Sequence, residues 1–198
     1  MNGWPHDPFN IHLCGVGGQG IGLLAATLLR AIAPGGAPVR GVDTHGLAQR
    51  GGIVVSQLRV GARAHNPVVS PGEAHLVLAL ERHEALRALT TMLAPGGRLL
   101  YADVEWQPLP VRLGRANRVT ADEIARAAAL LGAQVEAVAV ADLPDPRCQN
   151  VALLAAALRA GALPGLTLAG LGAALAELLA GPALAANLDL LRRLAVPA

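Results

Sequence analysis

The chain has no lysine, and all sixteen of its basic residues are arginine. That excludes a Schiff base, a pyridoxal-phosphate anchor and the lysine of a P-loop. Cysteine is scarce too. Cys14 and Cys148 lie far apart and form no C-x-x-C pair, so the chain cannot by itself ligate an iron–sulfur cluster or a structural zinc. No metal site is expected. Two Trp, one Tyr and one Phe, with a net charge of +2, leave no basic-aromatic surface for nucleic acid. The charged fraction is 15%, against roughly 25% in an average globular domain. A free monomer must cover its surface with polar groups, so this deficit predicts a sizeable buried protein–protein interface. No uninterrupted apolar run reaches membrane-spanning length: the stretch Ala160 to Ala176 is broken by Pro164 and several glycines. Trp4-Pro5-His6-Asp7-Pro8 stands where a signal peptide would need its apolar core, and the protein reads as cytoplasmic.

With 198 residues the chain has the length of one domain and can bury a full core. Its periodicities alternate. Strands are expected at Asn10 to Cys14, Val39 to Val42, Ile53 to Val60, His75 to Leu80, Arg98 to Ala102 and Val135 to Val140. Helices are expected from Ile21 to just before Pro34, from Glu81 to Leu93 with Pro95-Gly96-Gly97 as its stop, and from the Thr120–Glu123 capping box to Gly132. From residue 149 to 195 the pattern is helical throughout. Such alternation predicts an α/β, Rossmann-like layered fold with a mainly parallel sheet and a helical C-terminal segment, all within one domain spanning residues 1–198.

Gly15-Val16-Gly17-Gly18-Gln19-Gly20 closes the first strand and opens the first helix. A glycine loop in that setting presents backbone N–H groups and a helix N-terminus to an anion. The G-x-G-x-x-G spacing, with Asp43 23 residues beyond Gly20 (43 minus 20), nearly completes a dinucleotide fingerprint, so a nicotinamide dehydrogenase using the loop and Asp43 is one reading. A dinucleotide unit, however, follows its second strand with a crossover helix. Here Asp43 leads into a loop carrying Thr44, His45, Gln49, Arg50, Gly51 and Gly52, and then into another strand. Arginine offers a planar donor fork for carboxylate or phosphate, and glycines admit a close backbone or ligand. No nucleophile, metal triad or oriented base stands out, so no catalytic residue is expected.

The two loops together resemble the gamma-type subunits of the 2-oxoacid:ferredoxin (acceptor) oxidoreductases, most closely the beta subunit of indolepyruvate ferredoxin oxidoreductase. The likeness rests on Gly15–Gly20 with Ile21-Gly22 and Ala25-Ala26, and on Thr44-His-Gly-Leu-Ala-Gln-Arg-Gly-Gly52 with Val55-Ser56 and Leu58-Arg59. Ala74 to Glu81, Glu84-Ala-Leu86, Pro95-Gly-Gly97, Asn150 and Asn187 extend it from about Asn10 to Leu194. His75, Arg82 and His83 depart from the pattern, which leaves the branch and the 2-oxoacid open. The resemblance implies an oxidative decarboxylation in which a larger partner holds thiamine diphosphate, Mg and the iron–sulfur clusters and passes electrons to ferredoxin or another acceptor. This chain would then hold no cofactor alone, with coenzyme A possible at the interface. Gly15, Gly17, Gly18, Gln19 and Gly20 would bind phosphate or only pack. Thr44 to Gly52 and Asn150 would form an interface or ligand loop.

Overall fold

A computed structural model describes residues 3–45, 52–106, 109–115, 117–143 and 145–196. Six strands build one sheet: β1 (Phe9–Val16), β2 (Val39–His45), β3 (Ile53–Val60), β4 (Ala74–Ala79), β5 (Leu93–Ala102) and β6 (Gln134–Val138). Their spatial order is β2-β3-β1-β4-β5-β6. β1, β4, β5 and β6 pair in parallel, whereas β3 is antiparallel to both of its neighbours, β1 and β2. The helices are α1 (Ile21–Ile32), α2 (Arg82–Thr91), α3 (Leu109–Arg112), α4 (Ala121–Leu131), α5 (Gln149–Arg159), α6 (Leu168–Leu178) and α7 (Gly181–Ala195).

Side chains that alternate along the strands divide the core in two. Ile11, Leu13, Leu76, Leu78 and Leu100 pack with Leu24 and Leu28 of α1 and with the buried Val151–Ala157 run of α5. Cys14, Val77, Ala79, Leu99 and Tyr101 face the other way, onto Ala85 and Leu89 of α2 and Ile124 of α4. Helices on both faces explain why all eight residues of β1 are buried and why β4 reads as a continuous apolar run. The Thr120–Glu123 capping box forms as expected: Thr120 Oγ1 accepts from Glu123 N–H at 3.2 Å, and Glu123 Oε2 accepts from Thr120 N–H at 2.7 Å.

One expected boundary is wrong for an instructive reason. α2 ends at Thr91, and Pro95-Gly96-Gly97 lies inside β5 instead of stopping a helix. The β4–β5 register jumps from Ala74↔Leu93 to Leu76↔Arg98, so the Pro-Gly-Gly segment loops out of the ladder as a bulge, with Gly96 at φ +71°. Turn residues suit a bulge as well as a helix end.

Candidate functional site

Because β1 and β2 run the same way and β3 runs against them, the end of β1, the end of β2 and the start of β3 share one edge of the sheet. That edge also holds the end of β4. Sheet order reverses between β1 and β4, since α1 leads from β1 to one side and α2 leads from β4 to the other. In open α/β sheets such a switch point is where ligands bind. The glycine loop sits there.

Gln19 organises the loop. Its side chain is 1% exposed; Oε1 accepts from Val16 N–H at 2.7 Å, and Nε2 donates to the Leu80 carbonyl at 2.7 Å. One amide therefore turns the loop back onto β1 and ties β1 to the residue after β4. A second tie runs directly between the strands, from Leu80 N–H to the Cys14 carbonyl at 2.9 Å. Gly15 has to be glycine for this arrangement: a Cβ there would stand 2.8 Å from Gln19 Oε1 and 3.1 Å from both Ile21 and Leu80 side-chain carbons. Gly17 N–H donates to the Gly52 carbonyl at 2.9 Å, so the two glycine-rich motifs meet through backbone.

What remains open is the outer rim. Among the described residues Gly18 (φ +102°) has only Trp106 near its would-be Cβ, at 3.9 Å. Gly20 (φ +84°) is the left-handed N-cap of α1 and makes no side-chain cap bond. Among the described residues the N–H groups of Gly18 and Gly20 have no partner. Asn150, buried at the start of α5, brings Nδ2 to 3.5 Å from the Gly20 carbonyl; a Cβ on Gly20 would come within 2.8 Å of that nitrogen. Among the described residues the rim is thus a pair of unpartnered donors at a helix N-terminus, a geometry suited to phosphate.

The structure corrects the dinucleotide reading. In that arrangement the second strand lies beside the first, and its terminal carboxylate meets a ribose near the loop. Here β3 separates them, and Asp43 accepts from Ser56 Oγ at 2.5 Å, on β3. The inner wall of the loop, where a pyrophosphate would approach, is filled by the Gln19 amide.

Other expected residues are placed unevenly. Thr44 is exposed on β2 and Gly52 meets Gly17, so both belong to this edge. His45 ends β2; its side chain, with Gln49, Arg50 and Gly51, lies outside the described residues. Glu81 was not anticipated as part of the site. It directly follows Leu80 and is fully buried, capping α2 by accepting from His83 N–H at 3.0 Å and Glu84 N–H at 2.5 Å. Burial pushes its carboxyl up to about 7, against the pull of those two hydrogen bonds, with the charges of Glu84 and Glu105 adding to the rise. A lone acid after an apolar strand was its only sequence signal. Cys14 is buried and its thiol is held well above the ordinary range, first by burial and then by Glu84, which makes it inert. Among the described residues no group of three or more His, Cys, Asp or Glu is placed to hold a metal ion.

Residues 10–194 match the family described as pyruvate ferredoxin/flavodoxin oxidoreductase. The chain belongs to that family. It is 44% identical over 84 residues to indolepyruvate oxidoreductase subunit IorB of Methanothermobacter thermautotrophicus, covering 42% of each chain. It is 38% identical over 117 residues to the IorB of Thermococcus kodakarensis, covering 59% of this chain and 57% of that one. The chain therefore spans about half the length of these relatives. Among solved structures, pyruvate oxidoreductase subunit PORC of Thermotoga maritima superposes with a TM-score of 0.66 at 19% identity, covering 96% of both chains. A 2-oxoglutarate:ferredoxin oxidoreductase of Magnetococcus marinus, solved with 2-oxoglutarate, coenzyme A and succinyl-CoA bound, gives a TM-score of 0.58 at 17% identity. It covers 96% of this chain and 31% of that one. At these identities the structural likeness establishes a shared fold.

Proposed function

We propose that this chain is the gamma-type, IorB-like subunit of a 2-oxoacid:ferredoxin oxidoreductase that decarboxylates indolepyruvate or another aryl 2-oxoacid to an acyl-CoA. The identity to IorB proteins, 44% over the stretch aligned with one of them, is the observation that carries this reading. A larger partner subunit supplies thiamine diphosphate, Mg and the iron–sulfur clusters, and through it electrons leave to ferredoxin or another acceptor. When bound in the assembly, those groups would supply the decarboxylation and electron-transfer chemistry. No residue of this chain is assigned to that step.

Its own contribution is a positioned donor surface. Gln19 holds the loop shut on the inside, so Gly18 and Gly20 present their N–H groups outward at the start of α1, where a phosphate of coenzyme A finds paired donors and a favourable helix dipole. Thr44, His45, Gln49, Arg50, Gly51, Gly52 and Asn150 belong to the proposed interface or ligand loop. The test is anaerobic co-expression with the large subunit of the source organism, followed by indolepyruvate- and coenzyme A-dependent reduction of a viologen dye. Activity that requires both chains is expected. Robust oxidation by this chain alone, or no complex, refutes the proposal.

A further inference from the structure

Among the described residues no helix covers one side of β2 and β3, where the 66–69 segment hydrogen-bonds to these strands only at Gln57 and Arg59. In the β2–β3 ladder, Arg40, Val42 and Thr44 stand directly opposite Arg59, Gln57 and Val55, so these six side chains share a face. The opposite face is covered by α1: a Cβ on Gly41 would meet Leu29 of that helix at 3.3 Å. On the Val42 face, α2 and α4 pack over β1, β4, β5 and β6, and among the described residues neither makes substantial contact with β2 or β3. Val42 and Val55 remain only half-buried and Ile53 is 45% exposed. Among the described residues, Ile53 is exposed and Val42 and Val55 are only partly covered, Val55 by the edge of the α2-side core, on a sheet face that elsewhere in the fold is roofed by helices.

The same face ends in an electrostatic anomaly. Arg40 and Arg59 are cross-strand partners, and like charges placed directly opposite repel. Both guanidiniums are held only by neutral acceptors. Arg40 Nε donates to the Ala64 carbonyl at 2.5 Å. Arg59 Nε donates to Asn10 Oδ1 at 3.0 Å, and its Nη1 to Asn66 Oδ1 at 3.0 Å and the Val68 carbonyl at 3.2 Å. Among the described residues neither forms an ion pair with a carboxylate. A fixed pair of cations without an anion, at the end of an open apolar strip, is half of a complementary surface.

We infer that the Val42–Val55–Ile53 face of β2 and β3 is the docking surface for the larger partner subunit, which lays apolar side chains on the strip and an Asp or Glu carboxylate against Arg40 and Arg59. This rests on the subunit reading proposed above. A second copy of this chain fits less well. The face carries no carboxylate, Asp43 points to the other side where it binds Ser56, and the 46–51 sequence contains no acid, so a self-association would leave the arginines unanswered.

The test uses the complex of the full chain co-expressed with its large subunit, with the dissociation constant read by titration of labelled large subunit. Arg40→Glu is the main variant, because Arg40 is exposed and its replacement removes one bond to a carbonyl. Val55→Asp is the second. Each is expected to weaken assembly by at least about tenfold, with Arg40→Glu retaining the wild-type circular dichroism and melting temperature. Unchanged dissociation constants for both variants overturn the docking surface while leaving the subunit reading intact. Loss of a homodimer with assembly unaffected assigns the face to a second copy and also overturns it. A wild-type chain that forms no complex overturns both readings. If Val55→Asp fails to fold, Arg40→Glu decides alone.

Discussion

Replacing Gln19 with alanine tests whether one side-chain amide holds the junction of β1 and β4. The substitution removes a 2.7 Å bond to Val16 N–H and a 2.7 Å bond to the Leu80 carbonyl, at a residue that is 1% exposed. Each buried group left without a partner costs about 1–3 kcal/mol, so Gln19→Ala should cost roughly 3 kcal/mol in all. For a domain of this size 1 kcal/mol corresponds to about 2–4 °C, so the melting temperature should fall by roughly 6–12 °C. Calorimetric melts of the purified chain measure this directly. A double-mutant cycle with Gly15→Ala sharpens the test, because the new Cβ would press on Gln19 Oε1 at 2.8 Å. With Gln19 removed, Gly15→Ala should cost less, leaving an interaction energy of about 1 kcal/mol or more. A melting temperature within about 2 °C of wild type, or strictly additive effects, would refute the staple.

Gly20→Ala should lower stability by roughly 1–3 kcal/mol, since the N-cap has φ +84° and a Cβ would meet Asn150 Nδ2 at 2.8 Å; thermal melts check this. Among the described residues a Cβ at Gly18 meets only Trp106, in ordinary contact at 3.9 Å, so Gly18→Ala should raise the KM for coenzyme A in the assembled enzyme while costing only about 1–2 kcal/mol from its φ of +102°. An unchanged KM would reduce the loop to a turn. NADH titration should show no binding, and Asp43→Ala should not alter that result. Finally, His12 is buried and its pKa is lowered to about 4, by burial and then by Arg87, whereas Glu81 is raised to about 7. His12 therefore adds stability above its unfolded value of about 6.5 that is lost as pH falls toward 4, and Glu81 adds stability below about 4.5 that is lost as pH rises toward 7. Between pH 4.5 and 6.5 the two slopes oppose each other. Urea unfolding of Glu81→Gln should expose the histidine contribution, from His12 and from His75, which burial and then His6 also lower to about 4, as stability that rises with pH across that window; a slope equal to wild type would contradict it.

Much of the fold was legible because its signals are local. The spacing Ile21, Leu24, Leu28, Ile32 and the Thr120–Glu123 box specify helices without reference to the rest of the chain. The short span from Asp43 to Ile53 already ruled out a crossover helix. That β3 inserts between β1 and β2 was not readable, because strand order depends on pairing between distant segments. Pro95-Gly96-Gly97 misled for a related reason: its turn chemistry is indifferent to whether the backbone is ending a helix or leaving a ladder. At the site, the glycine spacing was visible, yet the role of Gln19 depends on Leu80, 61 residues away. The expected extent of the resemblance, Asn10 to Leu194, coincides with the family match over 10–194.

The staple at Gln19 also bears on how the molecule folds. β2 and β3 form a hairpin, and β4, α2 and β5 form a compact unit, whereas β1 reaches β3 only across 37 to 51 residues (53 minus 16 and 60 minus 9). The β1–β4 pairing closes a loop of 65 residues (76 minus 11), with Gln19 and Leu80 61 apart. Loop closure on that scale is slow compared with hairpin and helix formation. β1 is therefore the strand whose two pairings close the longest loops of the sheet, and a residue at the rim of the proposed ligand site doubles as the latch that holds it to the end of β4.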